Sequence, residues 1–292
     1  MTQMDQKAAW KTLELDLPLH FQEDELKFFK SATGIQSIEE LATHVKKVQA
    51  EAYHEVYPYP CIRSFNFCRF RIRRSPIYEE VLARGIKEGN ALFLDLGCCF
   101  GTDVRSIIAA GYPAEFVIGS DLQAGFIDYG HKIFLDTPST SPAFIVGDIF
   151  SPEFFSPDVA ESASTPLPRT LKTLTPLKHK IRHLHASAFF HLFDEATQLQ
   201  LAHLVLPLLV PSPGSTLFGS HVGAREAGLR AKDSNRSRGA MFCHNPESWK
   251  NMWKEVLGDI KAEVAADLVD STLLTPVGEA PNYRLAWSVV FC

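Results

Sequence analysis

Two glycines and three carboxylates in the 292-residue chain are spaced as a small-ligand site would need them. Gly97 and Gly101 lie in Leu94-Asp95-Leu96-Gly97-Cys98-Cys99-Phe100-Gly101, an apolar run that breaks into a turn. A glycine at a strand end lets a ligand approach the backbone without meeting a Cβ. A helix opening at Gly101 would offer its positive amide end to an anionic group such as a carboxylate. Asp121 follows Gly97 by 24 residues, where a carboxylate can accept both hydroxyls of a ribose. Asp148 stands 27 residues further on and can accept the exocyclic amine of an adenine. The dinucleotide fingerprint G-x-G-x-x-G and the phosphate loop G-x-x-x-x-G-K-[ST] are both absent. The pattern describes a nucleoside site without a phosphate cradle.

These side chains need strand ends gathered on one edge of a sheet. Ala91–Leu96, Phe116–Asp121 and Ala143–Asp148 are apolar runs, the last two ending in acids. Helical patterns over Thr102–Ala110 and Ala124–Phe134 separate them. Alternation at this spacing predicts an α/β, doubly wound, mostly parallel sheet with helices on both faces. A weaker fourth strand is expected at Ile181–Ala186, a helix at Glu195–Leu209 and a fifth strand at Ser215–Val222. A helix at Pro246–Leu257 precedes two final strands, Ile260–Val269 and Tyr283–Cys292.

Residues 1–90 read as a helical cap with a substrate-lining arm, and 91–292 as the core domain. Ser37-Ile38-Glu39-Glu40 is a capping box, with Glu40 expected to bond back to the Ser37 backbone. Ile38, Leu41, Val45 and Val48 continue that helix to about Val56, where Tyr57-Pro58-Tyr59-Pro60 stops it. Arg63 to Arg74 alternates aromatic and basic residues, which fits a strand or an extended arm. Residues 156–178, rich in Pro, Ser and Thr, read as an inserted loop, and 224–240 as a basic solvated loop.

Composition narrows the classes. A formal net charge of -5 makes the chain a poor nonspecific nucleic-acid binder. Met1–Trp10 has no apolar core like that of a secretory leader. The longest clean apolar stretch, Leu204–Val210, is far short of the roughly 20 residues a membrane helix needs. Six cysteines form neither a disulfide framework nor a zinc ribbon, which fits reduced thiols in a cytoplasmic protein. His183, His185 and His191 lack further ligands at useful spacing, so no metal is expected. Twenty-one Phe against 7 Tyr imply either a Phe-filled core or an apolar ligand pocket.

The strand-end constellation resembles the class I S-adenosylmethionine-dependent methyltransferases, whose first motif is an acid, an apolar residue and Gly-x-Gly-x-Gly. Asp95, Gly97 and Gly101 match, while Cys99 replaces the middle glycine. The resemblance implies a seven-stranded sheet with an antiparallel hairpin and S-adenosyl-L-methionine as cofactor. It implies that Asp95 and Gly97 face the methionine end, Asp121 the ribose and Leu122 the adenine. Asp148 and Ile149 would flank the base. Tyr57-Pro58-Tyr59-Pro60-Cys61-Ile62, Gly119-Ser120-Asp121-Leu122 and His185-Ala186-Ser187-Ala188-Phe189-Phe190-His191-Leu192-Phe193-Asp194 are similar to fungal natural-product methyltransferases. Those act on carboxyl or hydroxyl oxygens in polyketide and meroterpenoid pathways. The resemblance implies a small apolar acceptor, with no nucleic-acid or membrane partner, and a homodimer is left open. His185 would serve as general base for a hydroxyl acceptor, with a packed or solvent-facing histidine the alternative. Tyr53, Tyr57 and Phe65 would line the pocket, with core packing the alternative. Arg63 with Arg69, Arg71, Arg73 and Arg74 would hold a carboxylate substrate, with a solvated face the alternative. A nicotinamide-dependent oxidoreductase and a non-catalytic subunit stay open, the second because of Cys99.

Overall fold

Capping residues and prolines set the N-terminal elements of the computed structural model, which describes residues 14–162, 168–229, 241–270 and 283–292 with Thr12 and Ser164. Helix α1 (Glu23–Thr33) closes on Gly34 at φ 74°, a left-handed conformation that glycine takes at little cost. Helix α2 (Ile38–Glu55) begins at Ser37, whose Oγ accepts the Glu40 N–H at 3.2 Å. The expected return bond from Glu40 is replaced: the Ser37 hydroxyl donates to Glu39 at 2.9 Å. Pro60 opens a single turn, α3 (Pro60–Arg63).

The arm is not extended. After α3 the chain makes 3-10 turns at Asn66–Cys68 and Ile72–Arg74, reversed by Phe65 at φ 55°. Phe65, Phe67, Phe70 and Ile72 are nonetheless buried, while the alternating arginines stay at least partly exposed. Tight turns satisfy the alternation without needing a sheet edge. The aromatic residues join Phe28, Phe29, Leu41, Val45 and Tyr53 in a cluster completed by Phe126, Ile133 and Phe134. The last three belong to α6 (Ala124–Phe134), so the cap shares a core with a helix beyond residue 90.

Helix α4 (Tyr78–Glu88) leads into the sheet. Its first strands are β1 (Leu92–Leu96), β2 (Val117–Asp121), β3 (Ala143–Val146), β4 (Ile181–His185) and β5 (Thr216–Gly223). Helix α5 (Thr102–Ala109) joins β1 to β2, α6 joins β2 to β3, and α7 (Glu195–Val205) joins β4 to β5. Helix α7 is shorter than expected because Leu206–Leu208, around Pro207, tightens into a 3-10 turn. A two-residue ribbon pairs β6 (Gly228–Leu229) with β7 (Phe242–Cys243). Asn245 caps α8 (Pro246–Leu257), accepting the Ser248 N–H at 2.8 Å. The final strands are β8 (Ala262–Asp270) and β9 (Tyr283–Phe291).

The seven-stranded order is β3-β2-β1-β4-β5-β9-β8, with β9 antiparallel to both neighbours. This mostly parallel, doubly wound arrangement is the class I methyltransferase fold expected from the sequence. The chain runs outward from β1 to β3, then crosses back to β4 on the other side. That reversal opens a crevice at the carboxyl ends of β1 and β4, where ligands of such sheets bind. Part of the inserted loop before β4 is described and forms short 3-10 turns at Pro168–Thr170 and Thr175–Leu177. Of the expected basic loop, residues 230–240 lie outside the described residues. Among the described residues no helix is long and apolar enough to cross a membrane.

Candidate active site

A single cleft collects the strand ends. Asp95, Gly97, Asp121, Leu122, Asp148, Ile149 and His185 all line it. Gly97 and Gly101 sit at φ 76° and 69°, conformations that favour glycine. A Cβ on Gly97 would stand 2.8 Å from the Phe189 ring, and one on Gly101 2.7 Å from Phe144. The missing side chains therefore make room for these rings as well as for the turn. Cys99, at the middle-glycine position, also adopts a left-handed φ of 53°. The turn keeps its shape despite the substitution, at a strain of about 1–2 kcal/mol for a non-glycine residue.

Most of the backbone N–H groups of this turn are committed. Gly97 and Cys98 donate their N–H groups to Ser120 O at 2.8 and 3.0 Å, and Gly101 donates to Cys98 O at 2.8 Å. The Cys99 N–H donates to Asp121 Oδ2 at 2.9 Å. Asp121 Oδ1 accepts the Gln123 N–H at 2.9 Å, so one carboxylate ties the glycine turn to the start of α6. Burial pushes the Asp121 carboxyl up to about 6 against these bonds. Leu122 beside it is 52% exposed, an apolar surface facing the cleft. Asp148 falls two residues past the end of β3, where its Oδ1 accepts the Phe150 N–H at 3.0 Å.

Register brings the other half of the site together. Asp95 on β1 lies opposite His185 on β4, with side chains on one face. His185 Nδ1 donates to Asp95 Oδ1 at 2.8 Å, and its Nε2 lies 2.8 Å from Ser187 Oγ. Ser187 Oγ also accepts the Ser220 N–H at 3.2 Å. With Nδ1 donating, the neutral ring accepts the Ser187 hydroxyl proton at Nε2. Burial alone would lower His185, but the Asp95 charge and hydrogen bond, with Asp103, hold it above its ordinary value. Asp103, in the first turn of α5, accepts the Ile72 N–H at 3.2 Å, and burial pushes it up to about 6.

The cap contributes a different set of residues from the one expected. Tyr57 lines the cleft, joined by Tyr59, Asn66, Phe67, Arg69 and Arg71. Tyr53 and Phe65 do not: each is 1% exposed within the cap core, among apolar partners that exclude them from the cleft. Arg63 is turned away, its Nε donating to Glu14 O at 2.8 Å and its Nη2 reaching Asp16 at 3.4 Å. Phe189, Phe193, Phe150 and Phe126 supply apolar wall, whereas Phe190 is fully buried against Trp249 and Trp287. Ser187, two residues past His185 and so on the same face of an extended chain, was signalled by spacing but not singled out. Among the described residues no group of three or more His, Cys, Asp or Glu side chains is placed to hold a metal ion.

The first 68 residues carry a family signature: residues 7–68 match the family described as "Meroterpenoid methyltransferase N-terminal domain". The chain is 34% identical to the O-methyltransferase phiE of Fungal sp. (strain ATCC 74256), over 76% of this chain and 67% of phiE. It is 34% identical to the asnovolin E/chermesin D methyltransferase nvfJ of Aspergillus novofumigatus, over 74% of this chain and 70% of nvfJ. The chain belongs to this family of fungal methyltransferases. Magnesium protoporphyrin IX methyltransferase of Synechocystis PCC 6803, solved with bound SAM, is a far more distant likeness. It is 11% identical over 93% of each chain, with a TM-score of 0.42. Membership of the methyltransferase family disfavours a nicotinamide-dependent oxidoreductase.

Proposed function

We propose that this chain transfers a methyl group from S-adenosyl-L-methionine to a carboxyl or hydroxyl oxygen of a small apolar polyketide or meroterpenoid intermediate. The observation that carries the reading is Asp121, a carboxylate without an ion pair among the described residues, at the strand end that faces the cleft. Each of its oxygens receives one backbone N–H and keeps a lone pair for a ribose hydroxyl. Leu122 offers apolar contact to the adenine, and Asp148 a carboxylate to its amine. The residues present fit an adenosine cofactor that carries no phosphate at the 5′ end.

S-adenosyl-L-methionine supplies, when bound, an electrophilic methyl on a positively charged sulfur. The protein's part is to hold the acceptor oxygen in line with that methyl and to keep water out. Phe67, Phe126, Phe150, Phe189 and Phe193 form walls suited to an apolar acceptor. A carboxylate acceptor is already ionised at neutral pH and asks nothing further of the site. A hydroxyl acceptor must lose its proton, and Ser187 with His185 and Asp95 forms a chain that can receive it.

Calorimetric titration with S-adenosyl-L-methionine tests this reading. Asp121→Ala is expected to weaken binding about tenfold to a hundredfold, the range for hydrogen bonds to a charged group. Wild-type affinity should be full above pH 6 and decline below it, because ribose hydroxyls donate to the ionised carboxylate and protonation at about 6 removes acceptor capacity. Equal binding by the variant would sink the cofactor assignment.

A further inference from the structure

Among the described residues the charges in the cleft leave one cation without a partner. Among its described lining residues the positive or protonatable groups are Arg69, Arg71 and His185. Arg69 Nη1 is held by Glu25 Oε2 at 2.6 Å, and Glu25 is 2% exposed. His185 is held by Asp95. Arg71 makes no hydrogen bond or ion pair through its guanidinium to any described residue. It sits at the start of the 3-10 turn Ile72–Arg74, its own side chain turned to the cleft between buried Phe70 and Ile72.

Arg71 shares the cleft lining with Cys61, Cys99, Asp103 and His185. Burial pushes the Cys61 and Cys99 thiols up, and Arg71 acts against it on both. It also acts on Asp103 and His185, after burial and their closer partners. Arg71 therefore faces the same cleft as the glycine turn and the end of β4. Positive charge is in surplus here: Arg284 on β9 has a buried Nη1 without a partner among the described residues. Burial first, then Arg74 and Arg71, push its guanidinium down.

The glycine turn, in contrast, has little left for an anion. The N–H groups of Gly97, Cys98, Cys99 and Gly101 all have protein acceptors. Asp103 in the first turn of α5 offsets the positive end of that helix. The sequence expectation that a carboxylate sits at the helix end opened by Gly101 thus meets a turn with four of its five N–H groups spent and a helix end that already carries Asp103. A ligand bringing a carboxylate to this end needs a cation from elsewhere, and Arg71 of the cap is the one in place.

We infer that Arg71 holds the α-carboxylate of the cofactor's methionyl group, so that the N-terminal cap completes the cofactor site. The inference rests on the cofactor reading above. A guanidinium presents paired N–H donors that match a carboxylate bidentately. Contact across the cleft couples cofactor binding to the seating of the cap, which also supplies acceptor walls.

Two ligands test it by calorimetry: S-adenosylhomocysteine, which carries the carboxylate, and 5′-methylthioadenosine, which keeps the nucleoside and thioether but lacks the amino-acid tail. Wild-type protein binding neither ligand would overturn the cofactor reading itself. With wild-type binding in hand, Arg71→Ala is expected to lose about tenfold to a hundredfold for S-adenosylhomocysteine and less than about twofold for 5′-methylthioadenosine. Arg71→Lys should recover part of the loss. Equal weakening of both ligands, or of neither, overturns the inference. So does unchanged S-adenosylhomocysteine binding with a raised acceptor KM, which would give Arg71 to an acceptor anion instead. Thermal unfolding of each variant separates loss of fold from loss of contact.

Discussion

His185 is where the chemistry at residue scale can be divided. Its Nδ1 is committed to Asp95, and its Nε2 meets Ser187 at the cleft. On a hydroxyl acceptor the ring must be neutral to take a proton. Asp95 holds its pKa above the ordinary value, burial opposing, so turnover should rise with pH through a midpoint above about 6.5. His185→Ala should cut kcat on a hydroxyl acceptor by about a hundredfold or more and flatten that profile, while a carboxylate acceptor loses only a few-fold. Steady-state kinetics on both acceptor types would show it, and equal losses on the two would remove the base role. Cys99 teaches a different lesson: its left-handed backbone and its N–H bond to Asp121 preserve the turn that a glycine would make more cheaply. The substitution is thus no reason to regard the chain as non-catalytic. Asp121 and Asp148 were legible in the sequence because each ends an apolar run, and Asp95 because it stands two residues before the glycine turn. The bonds of Asp121 to Cys99 and of Asp95 to His185 were not, because they join residues 22 and 90 positions apart and leave no local pattern.

At the scale of elements, close approach decides against propensity. Gly85 lies in α4, where alanine would ordinarily stabilise a helix by about 0.5–1 kcal/mol. A Cβ there would lie 1.9 Å from Tyr112 Cε2. Tyr112 cannot step aside, being 1% exposed, packed on Phe93 and anchored by its hydroxyl to Ala91 O at 3.1 Å. Overpacking costs about 1–3 kcal/mol, so Gly85→Ala should be net destabilising in urea unfolding. A stabilised variant would mean that α4 does not seat on Tyr112. The same logic explains the arm: its aromatic residues bury themselves against α1, α2 and α6, and no free strand edge was needed. The sequence showed which residues alternate, but not that tight turns would carry the alternation.

For the molecule as a whole, buried histidines set the response to acid. Burial, with Arg182 and Arg84, pushes His183 down to about 3. Burial with His244 pushes His221 down to about 3, and burial pushes His244 down to about 4. The unfolded chain protonates all three near 6.5, so it binds protons that the folded state refuses as pH falls. Asp103 and Asp121, raised to about 6, work in the opposite direction between about 6 and 4, where the folded state holds protons the unfolded chain has released. Three against two leaves one excess proton on the unfolded chain, a loss of about 1.4 kcal/mol per pH unit. Below about 4 the offset fades while His244 takes up its own proton, so the loss stays near about 1.4 kcal/mol per unit until His183 and His221 protonate at about 3. Urea titrations at pH 7, 5 and 4 should follow that curve. A stability that stays flat to pH 4 would show that the histidines are not held neutral.

The amino-acid sequence by itself determined the alternation of strands and helices, the glycine turn and the acids at successive strand ends. These are properties of short segments, set by hydrophobic period and backbone freedom, and they survive without knowledge of the fold. Only the tertiary structure decided which cap residues face the cleft. Arg63 and Arg71 stand in one alternating run, yet one is spent on Glu14 and Asp16 and the other lines the cavity. Tyr53 and Tyr57 are a helical turn apart, yet only the second reaches the site. Direction in space depends on how the turns after Pro60 pack against α6, and on the register that sets Asp95 opposite His185. Both are fixed by contacts between segments far apart in the chain, which no local pattern encodes.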